Sequence, residues 1–320
     1  MNTPQVSIVI PVYNEEAGLQ ALFDRLYPAL DQLGTSYEVI FVDDGSRDRS
    51  AALLREKFDT RPDETRVVLL NGNFGQHLAI MAGFEHSRGE VIVTLDADLQ
   101  NPPEEIPKLL AKISEGYDYV GSIRMARRDS RFRRWASRLL NSIRERTTRI
   151  KMTDQGCMLR AYSRSIIAAI NSCREVNAFI PALAYTFARN PTEVEVRHEE
   201  RTAGESKYSL YKLVRLNFDL MTGFSIAPLQ MFSILGIFVS LASMATYVIV
   251  IGSRWLNSGS LWEGLRALFD RDILAFFLIG IMLFGLGLLG EYIGRIYEQV
   301  RARPRYLIAA VLEKTPADPE

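Results

Sequence analysis

The sequence has only two cysteines in its 320 residues, Cys157 and Cys173, and no Cys-x-x-Cys spacing. That argues against a disulfide framework and a thiolate metal site, and fits reduced thiols in a cytoplasmic domain. Net charge is missing too. The 38 Lys and Arg balance 38 Asp and Glu, so no whole-molecule field points to a nucleic acid. The opening MNTPQVSIVIPVYNEE lacks a basic leader, and its apolar run is too short for a signal peptide, so the first domain is expected not to be exported. No Gly-x-Gly-x-x-Gly follows that run and no Gly-x-x-x-x-Gly-Lys-Ser/Thr occurs, which sets aside the dinucleotide fingerprint and the P-loop.

Charge is also absent from the whole stretch between Leu220 and Ser253, and residues 231–253 are apolar enough to span a bilayer. A second uncharged run, ILAFFLIGIMLFGLGLLG at 273–290, comes close to the roughly 20 residues a spanning helix needs. Gly280, Gly285, Gly287 and Gly290 would weaken a soluble helix but let membrane helices approach closely. Arg295, Arg301, Arg303 and Arg305 follow the second run, Lys207, Lys212 and Arg215 precede the first, and 254–272 is balanced in charge. The positive-inside rule then puts both ends in the cytoplasm. The expected organisation is a cytoplasmic domain at 1–213, a juxtamembrane segment at 214–230 and spans at 231–253 and 273–294. A periplasmic loop at 254–272 joins the spans, and 295–320 forms a cytoplasmic tail.

The first 210 residues alternate strand-like and helix-like patterns. VSIVIPVY, YEVIFVDDGS, RVVLL and EVIVTLDADL read as strands, and NEEAGLQALFDRLYPAL, RDRSAALLREKF and HLAIMAGFEHS have helical spacing. This repeating order implies an α/β domain with a doubly wound parallel sheet. Three of its strand ends carry polar groups: Tyr13, Asn14 and Glu15; Asp43 and Asp44; Asp96 and Asp98. In a parallel sheet such tips converge on one crevice, where carboxylates repel unless a cation or ligand donors stand between them. After VIVTL, Pro102 and Pro103 force the chain out of the sheet, so Asp96, Asp98 and Gln100 sit at its carboxyl edge. A hard divalent cation suits that pair; a solvated acidic turn is the alternative. NGNFGQH reads as a turn before a helix.

Residues 124–151, RMARRDSRFRRWASRLLNSIRERTTRIK, interleave Phe132, Trp135, Leu139, Leu140 and Ile143 with arginines at helical spacing. That pattern suits an amphipathic helix in a membrane interface, with a solvated basic face or a nucleic-acid stripe as alternatives. Further on, ERTAGESKYSLYKLVRL places Arg201 and Lys207 on a glycine-containing loop, where a fork and a point charge are what phosphate binding needs.

SIVIPVYNEE, VDDGSRDRS, GQHLAIMAGF, LDADLQNPPEEIP, DQGCMLRAY, GESKYS and LLGEYIGRIYEQVRARPRY, in this order, resemble a family 2 glycosyltransferase acting on polyprenyl phosphate. The resemblance spans residues 6 to 306. It implies a GT-A fold, a UDP-sugar donor, undecaprenyl phosphate as acceptor, inversion at the sugar, and a homo-tetramer in the bacterial inner membrane serving lipopolysaccharide modification, with no nucleic-acid partner. By motif, it implies that Pro11, Tyr13, Glu15, Asp43, Asp44, Gln76 and Asp96 hold the donor. Asp96, Asp98 and Gln100 would bind Mg²⁺ or Mn²⁺, and Arg124, Arg133, Ser137, Arg201 and Lys207 the lipid phosphate. Asp96, Asp98 and Asp154 would serve the reaction, with a structural role for Asp154 equally open. Gly72 and Phe74 stand where the resemblance implies Arg and Tyr, and UDP-glucose and UDP-4-formamidoarabinose both remain compatible.

Other classes fit less of the chain. An aspartyl-phosphate phosphotransferase would use Asp96 as nucleophile, but nothing in DADLQ beyond the two acids supports it. A processive polysaccharide synthase would need Gln-x-x-Arg-Trp, whereas Arg131 precedes Arg134-Trp135. A membrane scaffold leaves the converging carboxylates unexplained.

Overall fold

The computed structural model describes residues 3–124, 152–154, 156–173, 179–199, 218, 222, 225–256, 271–301 and 303–314. They fall into two compact units: the described residues up to 199 together with 303–314, and those of 218–301. The basic stretch at 125–151, with Arg133 and Ser137, and the segment 200–217, with Arg201 and Lys207, lie outside the described residues.

The first unit is built on strands β1 (Val6–Val12), β2 (Tyr37–Asp43), β3 (Thr65–Leu70) and β4 (Val91–Thr94), side by side in the order β4-β1-β2-β3 and all parallel. Their apolar runs lack alternation because both faces are covered, so Ile8, Val9 and Ile10 are all solvent-free. Helix α1 (Leu19–Asp31) buries Leu19, Leu22, Phe23, Leu26 and Leu30, one face at helical spacing. Helix α2 (Ser50–Thr60) follows β2. Helix α3 (Gln76–His86) buries every residue from Ala79 to Phe84 where it packs on β1 and β2.

Register decides where the chemistry lies. Val12 stands opposite Asp43, Asp43 opposite Leu69, and Val9 opposite Thr94. The segments that follow β1, β2, β3 and β4 therefore leave the sheet along one edge.

Beyond β4 the chain runs through helix α4 (Ile106–Ser114), β5 (Tyr119–Arg124), β6 (Arg160–Ser163), helices α5 (Arg164–Ser172) and α6 (Ile180–Phe187), and β7 (Pro191–Val196). Strand β6 lies antiparallel to both β4 and β5, and β7 runs parallel to β5. The last strand, β8 (Ile308–Leu312), adds antiparallel to β3, giving the order β7-β5-β6-β4-β1-β2-β3-β8. The sheet is mostly parallel, as an α/β domain of this kind requires, with β6 and β8 as its antiparallel strands. Arg160 interrupts the apolar run of β6, and β8 arises within 295–320, which reads as a tail because it follows a charged helix end.

The second unit holds two 30-residue helices, α7 (Ala227–Leu256) and α8 (Arg271–Val300), each about 45 Å long. They cover the two charge-free runs. Among the described residues one stretch, Leu278–Val300, is long and apolar enough to cross a membrane, and Ala227–Val239 is a shorter apolar helical stretch. The helices touch where Phe232 meets Phe284; a Cβ on Gly285 would lie 2.1 Å from the Phe232 ring, so a larger residue there would have to displace that ring. Tyr292 also donates to the Ser225 carbonyl at 2.7 Å.

Candidate active site

The loop after β1 and the loop after β2 are stitched together. Asn14, in the left-handed region at φ 54°, donates its N–H to Ser46 Oγ and accepts the Arg47 N–H; the Glu15 N–H reaches Ser50 Oγ. Asparagine tolerates that backbone better than most residues. Tyr13 projects from this loop, 41% exposed, with Pro11 and Glu15 partly buried beside it in the chain.

Asp43 and Asp44, both buried, end β2. The Asp44 carboxylate accepts the N–H groups of Phe74 (2.7 Å) and Gly75 (2.8 Å) at the start of α3. A negative charge at a helix N-terminus, facing amides with no intrahelical partner, is favourable. Burial raises its pKa, and these two amides oppose the shift. Asp43 Oδ2 accepts the Ser46 N–H, whereas its buried Oδ1 has no partner among the described residues. Burial raises the Asp43 pKa as well. Gly45, at φ 70°, lets the backbone pass so close to Gly72 that a Cβ would come within 2.5 Å of its carbonyl carbon. Asp43, Gly45, Ser46, Gly72 and Asn73 line a cavity of about 440 Å³.

Past β4 the chain turns sharply. Leu99 takes φ 58°, a strained choice for a non-glycine residue, and the strain turns the 96–100 segment out of line with the strand. Gln76 donates to Asp96 Oδ1 at 2.7 Å and Asn101 to its Oδ2 at 3.5 Å, while the Gln100 N–H reaches Asp98 Oδ1 at 3.1 Å. Burial, and then the Asp98 charge, push the Asp96 carboxyl up to about 7; Arg124, Gln76 and Arg160 pull the other way. A carboxyl whose charge is disfavoured by burial and by a neighbouring carboxylate fits a divalent cation, whose charge removes the conflict. The donor set is all oxygen. No cluster of three His, Cys, Asp or Glu side chains forms a closed cage among the described residues, so an ion held by Asp96 and Asp98 would draw further ligands from Gln100, water and phosphate, as Mg²⁺-type ions do.

Near Asp96 stands a partly buried ion pair. Arg124, at the end of β5, grips Asp154 through Nε (2.6 Å) and Nη2 (2.9 Å), and the Gly156 N–H adds a bond at 3.0 Å. Such a two-point grip fixes both side chains. Behind it Arg160, fully buried, donates to the carbonyls of Cys157 and Asp154 and to the Tyr119 hydroxyl. His198 follows β7, and its pKa is lowered first by burial and then by Arg124, with Asp154 and Asp98 opposing. Glu199 donates its N–H to the Gln100 carbonyl.

The structure thus brings Asp96, Asp98, Gln76, Gln100, Arg124 and Asp154 together, with Tyr13, Asp43 and Asp44 on neighbouring loops of the same edge. Sequence reasoning missed Asn101, Arg160 and His198. Arg160 left one signal, a lone charge inside the apolar run CMLRAY. The other two left none.

Residues 7–170 match the sequence pattern of glycosyl transferase family 2. The chain belongs to that family. It is a glycosyltransferase, and the carboxylate-lined strand edge just described lies within the matched residues. This family 2 enzyme is 51% identical over 312 residues to the undecaprenyl-phosphate 4-deoxy-4-formamido-L-arabinose transferase of Pseudomonas aeruginosa (strain LESB58), covering 98% of this chain and 91% of that one. Against the protein of the same description from Edwardsiella ictaluri (strain 93-146) the identity is 52% over 317 residues, 98% of this chain and 96% of that one. Among solved structures it is similar to glucosyl-3-phosphoglycerate synthase from Mycobacterium tuberculosis in complex with Mn²⁺, uridine diphosphate and glucosyl-3-phosphoglycerate. That match has a TM-score of 0.49 and 19% identity over 68% of this chain and 78% of that one.

Proposed function

We propose that this glycosyltransferase moves 4-deoxy-4-formamido-L-arabinose from a UDP carrier to undecaprenyl phosphate, with inversion, at the cytoplasmic face of a bacterial inner membrane. The observation that carries the substrate assignment is identity above half, over nearly the whole chain, to transferases of that description. The membrane assignment draws on the apolar faces of α7 and α8, where Met231, Phe238, Leu283 and Phe284 are each about 60% exposed or more. The two helices would cross the bilayer as a pair and return the chain to the same side.

In this reading Asp43 Oδ1, the unpartnered acceptor, takes a donor N–H or hydroxyl of the uridine, and Tyr13 covers the base. Asp96, Asp98 and Gln100 hold a divalent ion, which supplies positive charge beside the departing diphosphate. Gln76 and Asn101 orient Asp96 for that task. A phosphate oxygen of the lipid attacks the anomeric carbon, the bond from that carbon to the diphosphate breaks, and UDP leaves. The attacking oxygen is already ionised at neutral pH, so no strong base is required. Asp154, gripped by Arg124, then acts by orienting that arginine toward the phosphates rather than by moving a proton.

Mass spectrometry of lipid products, after a panel of UDP-sugars including UDP-glucose is offered with undecaprenyl phosphate, tests the function. A formamidoarabinosyl lipid is expected. A product from UDP-glucose alone would replace the sugar assignment, and no lipid product from any donor would end the reading. For the acceptor, Arg133, Ser137, Arg201 and Lys207 join Arg124 as the proposed phosphate grip. Arg201→Ala and Lys207→Ala should each lower transfer by about tenfold or more while leaving UDP affinity nearly intact, since losing a buried charge-assisted contact costs about 2–5 kcal/mol. Lost UDP binding with normal lipid dependence would move these residues to the donor.

A further inference from the structure

We propose that β8, the strand that follows the second long helix, is a positioning element of the donor site. It walls the cavity beside Asp43 and fixes one end of the 71–75 loop. The inference rests on the reading of that cavity as the nucleotide site.

Ala309 of β8 lines the cavity together with Asp43, Gly45, Ser46, Gly72 and Asn73. The pairing of β8 with β3 continues to the end of that strand, with Leu69 opposite Ala310 and, after an irregularity, Leu70 opposite Ile308. The next contact belongs to the loop itself, for the Asn71 N–H donates to the Leu307 carbonyl at 2.9 Å. Three residues on, the Phe74 and Gly75 amides are held by Asp44. The loop is therefore pinned at both ends, by Asp44 on one side and by β8 on the other. Gly72 and Asn73 hang between the pins, on the cavity wall.

The far end of β8 is held by ion pairs. Glu313 pairs with Arg66, which is buried, and with Arg88 at 2.8 Å, and Lys314 pairs with Asp63 at 2.6 Å. These pairs lie at the start of β3, beyond the backbone ladder that covers Val67 to Leu70, on what would otherwise be the open edge of the sheet. A loop that must present backbone to a nucleotide loses affinity when it is free to wander, because binding then has to order it.

The test uses the full-length protein in detergent, with UDP titrated by calorimetry and amide exchange followed at 71–75. Ala310→Pro and Val311→Pro are introduced together. The N–H groups of successive strand residues point to opposite sides, so one of the two prolines removes a ladder bond whichever way the strand faces. UDP affinity should fall by about tenfold or more, with faster exchange at 71–75, unchanged exchange in β1 and β4, and turnover at saturating donor within about threefold. A gentler variant, Glu313→Ala with Lys314→Ala, should weaken UDP by about two- to fivefold, and it decides the matter if the proline protein does not fold. Faster exchange in β8 with unchanged UDP affinity overturns the inference. Asp43→Asn separates the two levels. If it weakens UDP and the strand variants do not, β8 is no positioning element and the nucleotide site stands. If Asp43→Asn leaves UDP affinity unchanged, the nucleotide reading of the cavity falls, and the inference with it.

Discussion

Two pairs of aspartates flank β1, one at the end of β2 and one just past β4, and they are held in opposite ways. Asp44 is tied to main-chain amides, Phe74 and Gly75, and so fixes the path of the polypeptide. Asp96 is tied to side-chain amides, Gln76 and Asn101, which rotate about single bonds and can yield an oxygen to an incoming ion. In the proposed reading, the same residue type at the same sheet edge is structural where the backbone supplies its donors and chemical where side chains do. Asp43 sits between the two cases, with one oxygen on the Ser46 amide and the other, among the described residues, on nothing.

The sharpest way to break this contrast is at the second pair. Asp98→Asn, or excess chelator on the unaltered protein, should cut transfer by at least about a hundredfold, the scale of losing one transition-state electrostatic contact. Asp96→Asn should do the same while leaving the melting temperature equal or higher, because it removes like-charge repulsion. A clear loss of stability at Asp96 would mean that this pair, too, holds the fold.

The first pair should respond in reverse. Asp44→Ala leaves two partly buried amides without an acceptor, at no more than about 1–3 kcal/mol for each. A lower melting temperature and faster exchange at 71–75 are expected, and unchanged exchange there would show that other contacts hold the loop. Asp43→Asn should have the smallest effect of the four on the molecule. Its Oδ can still accept the Ser46 N–H, so stability should barely move, while UDP affinity drops about tenfold, equivalent to about 1.4 kcal/mol.

The edge that carries both pairs was legible in the sequence because parallel strands are apolar throughout, and the first polar residue after each run marks its tip. Strand β4 shows the limit. It stops at Thr94 rather than running on through DADL, since the turn that aims Asp98 depends on a left-handed Leu99, which no glycine or asparagine announces. The task of Asp44 was hidden because its partners are main-chain atoms some 30 residues away: any residue but proline supplies the donor at 74, and Gly75, at φ 95°, announces a turn rather than a partner. Arg160 is buried among Tyr119, Met152 and Cys157, a setting composition cannot foretell. Strand β8 was illegible for another reason: IAAVL is too short to assert itself, and its place depends on an edge made far earlier in the chain.

That distance has a consequence for biosynthesis. Arg66 of β3 and Glu313 beyond β8 are 247 residues apart. During translation β3 emerges early and remains an uncovered edge while two long apolar helices are made, so the nascent domain carries an open template for mispairing until residues 308–312 appear. A strand so late in the chain also raises contact order, which slows the closing step of folding. Residues 308–314 therefore act as a seal, and a chain interrupted between the helices and β8 would leave the ribosome with its sheet still open.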